Sequence, residues 1–215
     1  MAEPSSETIT QKPRIPMLKH APQTTEETRR SLKWRVVDIA VGAAVGVMSG
    51  VMFWVFDGMS YGLFPLLTLI LPGSAALLHA LFYFPATLGL LIVRKPGASA
   101  YVLLVASFVE VVLGTKYSVS LVVIALVQAL AAETVFALFR YRRWTLGVTL
   151  LSSVAIGIVY NFYLLYQAFS FFSPRGLIGT ACELLSAIVF AGFGSWILYR
   201  ALAKSGVLTR FVSGR

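Results

Sequence analysis

Apolar positions along this chain gather into six long runs separated by short polar or broken stretches. The runs cover about Trp34 to Phe56, Ser74 to Val93, Ala98 to Leu113, Tyr117 to Phe139, Trp144 to Ala168 and Leu177 to Ala203. Uninterrupted runs of this kind predict helices that cross a bilayer, because about 20 apolar residues at 1.5 Å rise match the hydrocarbon thickness. The reading is an all-α bundle of six transmembrane helices. Residues 1–33 are polar and carry Pro4, Pro13, Pro16 and Pro22. They cannot bury enough apolar surface to offset ordering and read as a flexible tail. The membrane domain then covers residues 34–203, and 204–215 form a short basic tail.

Between the first two runs, residues 57–73 contain Asp57-Gly58, Gly62, Pro65 and Leu71-Pro72-Gly73. That stretch is too broken for a clean span and too apolar for a solvated loop, so it predicts an irregular, lid-like segment over the bundle. Pro85 predicts a kink in the second helix.

Small residues predict the close contacts. In the first helix Ala40 and Ala44 lie four apart on one face, while Gly42, Gly46 and Gly50 line a nearly opposite one. Small side chains let helices approach in lipid. One face can serve the chain's own bundle and the other a separate subunit, or both can pack internally.

Charge then orients the bundle. Arg29, Arg30, Lys33, Arg35, Arg94, Lys95, Arg140, Arg142, Arg143, Arg200 and Lys204 fall at one end, against Lys116 and Arg175 at the other. The positive-inside bias places both termini in the cytoplasm of an integral cell-membrane protein surrounded by lipid. Composition agrees: of 215 residues 58% are hydrophobic and 13% charged, with a mean hydropathy of +0.80. The net charge of +9 is spread over the helix ends rather than one face, which excludes a nucleic-acid surface. Cys182 stands alone, and His20 and His79 form no metal-ligand spacing, so neither a metal site nor a cofactor is expected.

Polar groups inside the apolar runs mark the candidate site, since a carboxylate in a spanning helix costs several kcal/mol unless protein, water or a ligand faces it. Counted by helical rise, Glu110, His79, Asn161 and Glu183 share an outer layer roughly 6–12 Å deep. Tyr160, Tyr163 and Tyr166 join it, Gln128 lies near mid-membrane, and Trp54 sits toward the outer end of the first helix. Acids attract a cation, rings stack on a flat heterocycle, and amides read ring nitrogens. The expected site is an outward pocket for a small aromatic or cationic solute. Glu133 lies nearer the inner basic loops and is expected to be structural.

Three strings carry a resemblance: Arg94-Lys95-Pro96-Gly97-Ala98, Val109-Glu110-Val111-Val112-Leu113-Gly114, and Leu126-Val127-Gln128-Ala129-Leu130-Ala131-Ala132-Glu133-Thr134-Val135-Phe136. They resemble the YkoE-type substrate-binding (S) components of energy-coupling factor (ECF) transporters, over about residues 34–210. The resemblance implies capture of thiamine or its hydroxymethylpyrimidine precursor from outside. It also implies docking on a transmembrane coupling subunit driven by two cytoplasmic ATPases, with Ala40 and Ala44 as the docking face. The chain departs from the family pattern at Asn161, where an acid is common, and at Glu183, where a base is common. No Walker-type phosphate loop and no nucleophile or zinc-protease motif occurs, so the chain is not expected to be an enzyme. A stand-alone secondary carrier, or a structural membrane protein, is the rival reading.

Overall fold

The computed structural model describes residues 32–115, 118–168, 173–206 and 208. Expectations for most of the N-terminal tail, for the turn at Lys116, for the side chains of Tyr166 and Gln167, and for the final basic residues lie outside that set. In chain order the elements are α1 (Val36–Ile70), a 3-10 segment (Ser74–Phe82), α2 (Phe84–Val93), α3 (Ala98–Leu113), α4 (Ser118–Leu138), α5 (Leu146–Ala168), α6 (Pro174–Ser186), a π-helical stretch (Ala187–Gly194) and α7 (Ser195–Lys204). No strand occurs among the described residues. Among the described residues five rods are long and apolar enough to cross a membrane: α1, the 3-10 segment continued by α2, α4, α5, and residues 174–204 taken together. The shorter apolar α3 is the sixth member of the bundle.

Residues 57–70 correct one expectation. They are not irregular but continue α1, with Pro65 inside the helix. A glycine in a helix costs about 1 kcal/mol and a proline about 3. Breaking the ladder in apolar surroundings exposes several backbone groups at several kcal/mol each. The continuous helix is therefore the cheaper solution, and only Leu71–Gly73 interrupts the chain. Gly73 turns it with φ 98°, and a Cβ there would lie 2.8 Å from the Arg175 carbonyl oxygen, so no other residue fits. Pro85 also acts differently from a mid-helix kink. The second span changes from 3-10 to α winding at Tyr83, and Pro85 takes the first turn of α2, where a missing N–H is harmless.

α2 is the axis of the bundle, buried from Pro85 through Val93. α1 lies along α3 through its glycine face: Cβ atoms added at Gly46 and Gly50 would meet Val105 and the Ala106 carbonyl oxygen at 2.7 and 2.5 Å. Ala40 and Ala44 are exposed on the other side. α4 runs between α3 and α5, and the last rod packs on the 3-10 segment, α2 and α5.

At the basic end the turn Arg94–Gly97 is clamped from several directions. Arg94 donates to Tyr199 Oη at 2.8 Å, and its guanidinium lies 5.6 Å from the ring centroids of both Trp144 and Tyr199. Burial lowers its pKa from the usual guanidinium value, opposed by Tyr199. Lys95 is buried with Asp38 Oδ2 at 4.0 Å, and Trp34 Nε1 donates to the Pro96 carbonyl at 3.0 Å. Glu133 accepts from Ser99 N at 2.9 Å and from Tyr141 Oη at 2.6 Å, tying α4 to the start of α3.

Candidate functional site

Toward the opposite end from Arg94, five elements surround a cavity of about 480 Å³. α1 contributes Phe53, Asp57, Ser60 and Phe64; the 3-10 segment contributes His79 and Phe82; α3 contributes Ser107 and Glu110. α4 adds Ser120, Leu121, Ile124, Ala125 and Gln128, and α5 adds Tyr160, Tyr163 and Leu164. Helical rise places these together because the chain brings the C-terminal halves of α1, α3 and α5 and the N-terminal half of α4 to one level.

Glu110 is 1% exposed, and its Oε2 has no hydrogen-bond partner among the described residues. A buried carboxylate oxygen in that condition is costly by itself and inexpensive once a donor or cation reaches it. Asp57 shares the same wall and accepts a hydrogen bond from Thr115 Oγ1 at 3.2 Å. The other wall is aromatic. His79 meets Tyr160 edge-on at 5.4 Å and Phe64 at 5.8 Å between centroids, and Tyr160 stacks on Tyr163 at 6.1 Å. Behind it Glu183, fully buried, takes His79 Nδ1 at 2.7 Å and the Tyr83 hydroxyl at 2.7 Å.

Of the sequence-derived candidates, Glu110, Gln128, His79, Tyr160 and Tyr163 line this cavity. Glu183 stands one layer behind, through His79. Asn161 faces elsewhere: its amide donates to Thr180 Oγ1 at 3.0 Å and joins α5 to α6. Trp54 is 43% exposed and borders a separate open groove with Met59, Tyr61 and Gly114. Glu133 lies among the basic-end contacts. Asp57, Ser60, Phe53 and Phe64 were not anticipated. Their spacing of four, three and four residues is one helical face, legible only if α1 is allowed to run past Asp57.

Comparison with known proteins adds three findings. A model of the family described as "ABC-type cobalt transport system, permease component" matches residues 37–159. YkoE of Bacillus subtilis (strain 168), provisionally named an HMP/thiamine permease protein, is 25% identical over 187 residues, which cover 85% of this chain and 91% of that protein. A solved structure of an S-component of an ECF transporter matches with a TM-score of 0.76 at 25% identity, over 85% of this chain and 92% of that one.

Proposed function

The chain belongs to the family of ABC-type cobalt transport system permease components, and from that premise we propose that it is the substrate-binding membrane subunit of an ECF-type vitamin importer. Its ligand is thiamine or the hydroxymethylpyrimidine precursor. The observation that carries this reading is the wall of the cavity, where an unpartnered buried carboxylate at Glu110 faces a set of aromatic rings. About 480 Å³ lies within the roughly 300–1,000 Å³ of small-molecule pockets. The acid attracts a thiazolium or hydrogen-bonds a hydroxymethyl group, and Tyr160, Tyr163 and Phe64 cover the flat face of a pyrimidine. Cobalt, the cargo in the family description, fits less well: among the described residues no three His, Cys, Asp or Glu side chains gather to hold a metal ion.

In this reading the cavity opens to the outside and the basic end, with both termini, lies in the cytoplasm of the cell membrane. The C-terminal part of α1, from Asp57 to Ile70, covers the cavity as a helical lid. The exposed Ala40 and Ala44 face docks on a transmembrane coupling subunit, and two cytoplasmic ATPases supply the energy. Glu110, Gln128, His79, Tyr160 and Tyr163 contact the ligand, with Glu183 acting through His79. This reading leaves Asn161 and Trp54 outside that set, since Asn161 bonds Thr180 and Trp54 borders the other groove.

The test is calorimetric titration of the purified protein in detergent with thiamine, hydroxymethylpyrimidine and Co²⁺. Saturable binding of either organic ligand, and none of Co²⁺, is the expected result. Binding of Co²⁺ alone refutes the assignment.

A further inference from the structure

One ring on the cavity wall, His79, is tied to a buried acid. Both oxygens of Glu183 are engaged on one side of the cavity: Oε2 by His79 Nδ1 and Oε1 by the Tyr83 hydroxyl, each at 2.7 Å. If Glu183 accepts on both oxygens, as it accepts the Tyr83 hydroxyl on Oε1, the hydrogen between it and the imidazole belongs to Nδ1. A neutral imidazole carries one hydrogen, which leaves Nε2 as a lone-pair acceptor. The ring is also fixed in plane, with Phe64 and Tyr160 against it at interplanar angles of 63° and 90°. Among the described residues no group hydrogen-bonds Nε2, and His79 is a wall residue of the cavity. Glu183 and Tyr83 are themselves fully buried, so water does not loosen the arrangement.

We propose that Glu183 is a positioning residue that holds His79 as an acceptor, and that His79 Nε2 thereby selects a heteroaromatic ligand bearing an exocyclic amino group over its oxo counterpart. The inference rests on the reading of this cavity as the site for thiamine or its pyrimidine precursor. An amino N–H directed at Nε2 completes the only open valence of the imidazole. An oxo oxygen in the same place sets two lone pairs against each other, and a site built to receive a donor rejects the analogue lacking it. The opposite wall repeats the demand, since Glu110 Oε2 also waits for a donor or a cation. A doubly protonated imidazole would donate from Nε2 and reverse the preference, so the sign of the preference decides.

The experiment compares thiamine with oxythiamine, in which an oxo group replaces the pyrimidine amino group, by calorimetry at one mildly alkaline pH where a free imidazole is neutral. Intact protein is expected to favour thiamine by about 10- to 100-fold. Glu183→Gln keeps the size of the side chain but offers both a donor and an acceptor, freeing the imidazole to take either tautomer, and the ratio falls toward unity. His79→Ala removes the ratio altogether. A general loss of packing weakens both ligands together and leaves their ratio standing, which separates positioning from structural damage. Equal affinities in the intact protein, a preference for oxythiamine, or an unchanged ratio in Glu183→Gln each overturn the proposal. The intact-protein comparison decides even where a variant does not fold. Failure of both compounds to bind overturns the ligand reading itself, which equal binding leaves intact.

Discussion

Gly50→Ala tests the assignment of the two small-residue faces of α1, with Gly58→Ala as its control in the same helix. A Cβ at Gly50 would sit 2.5 Å from the Ala106 carbonyl oxygen and 2.7 Å from Val109 Cβ. Carbon contacts are optimal near 3.5–4.0 Å, so α1 and α3 have to separate by roughly 1 Å. The nearest obstacle is backbone, which cannot swing aside as the Tyr101 ring opposite Gly42 can. At Gly58 nothing lies within 4 Å of the added carbon. Both substitutions gain about 0.8–1 kcal/mol of helix propensity. Their difference therefore isolates the clash, at about 1–3 kcal/mol. With about 2–4 °C per kcal/mol for a chain of this size, Gly50→Ala is expected to unfold roughly 2–12 °C below Gly58→Ala. Thermal unfolding in detergent, followed by tryptophan fluorescence, reads the gap. A Gly50→Ala protein that melts with or above Gly58→Ala refutes the argument that this face is the closely packed one.

Three further outcomes are expected. Glu110→Gln should weaken thiamine about 10- to 100-fold, because a charge-assisted contact is replaced by a neutral one, and should weaken neutral hydroxymethylpyrimidine much less; calorimetry distinguishes the two. Ala40→Trp or Ala44→Trp should release co-purifying coupling subunit and ATPases while calorimetric affinity for thiamine stays unchanged, and retention of the complex speaks against docking through that face. Glu133→Ala leaves the Ser99 N–H and the Tyr141 hydroxyl without their carboxylate, and should cost about 2 kcal/mol in chemical unfolding without changing ligand affinity.

Much of the bundle was readable because lipid removes choices. Once an apolar run is long enough, its backbone must be helical, and the third predicted span, Ala98–Leu113, coincides with α3. Counting rise from the turns then brought His79, Glu110, Tyr160 and Tyr163 to one level. Level is not direction, and that is where the reading stopped. Asn161 and Tyr160 are neighbours at the same depth, yet about 100° of rotation turns one toward Thr180 and the other toward the cavity. The segment after Asp57 misled for a related reason. Gly58, Gly62 and Pro65 signal a break in water, where freed carbonyls find solvent, but not against apolar surroundings, where they do not. Losing the helix there hid the Phe53, Asp57, Ser60, Phe64 stripe. Which small-residue face of α1 turns inward depended on the partner helix, a choice that a single sequence left open and the Gly46 and Gly50 contacts decide.

The widened winding between Ala187 and Gly194 sets a rule for chain length. Ordinary winding advances about 100° per residue, so the 12 steps from Glu183 to Ser195 would leave these side chains roughly 120° apart. They nevertheless address one neighbour: Glu183 meets His79 and Tyr83, while Ser195 donates to the Phe84 carbonyl and Thr87 donates to the Ala191 carbonyl. A surplus residue taken up in the wide turns brings the angle to roughly 20°. Shortening the protein by one residue inside 187–194 keeps both ends aligned, whereas the same deletion between Leu177 and Cys182 spins the helix start against everything it touches.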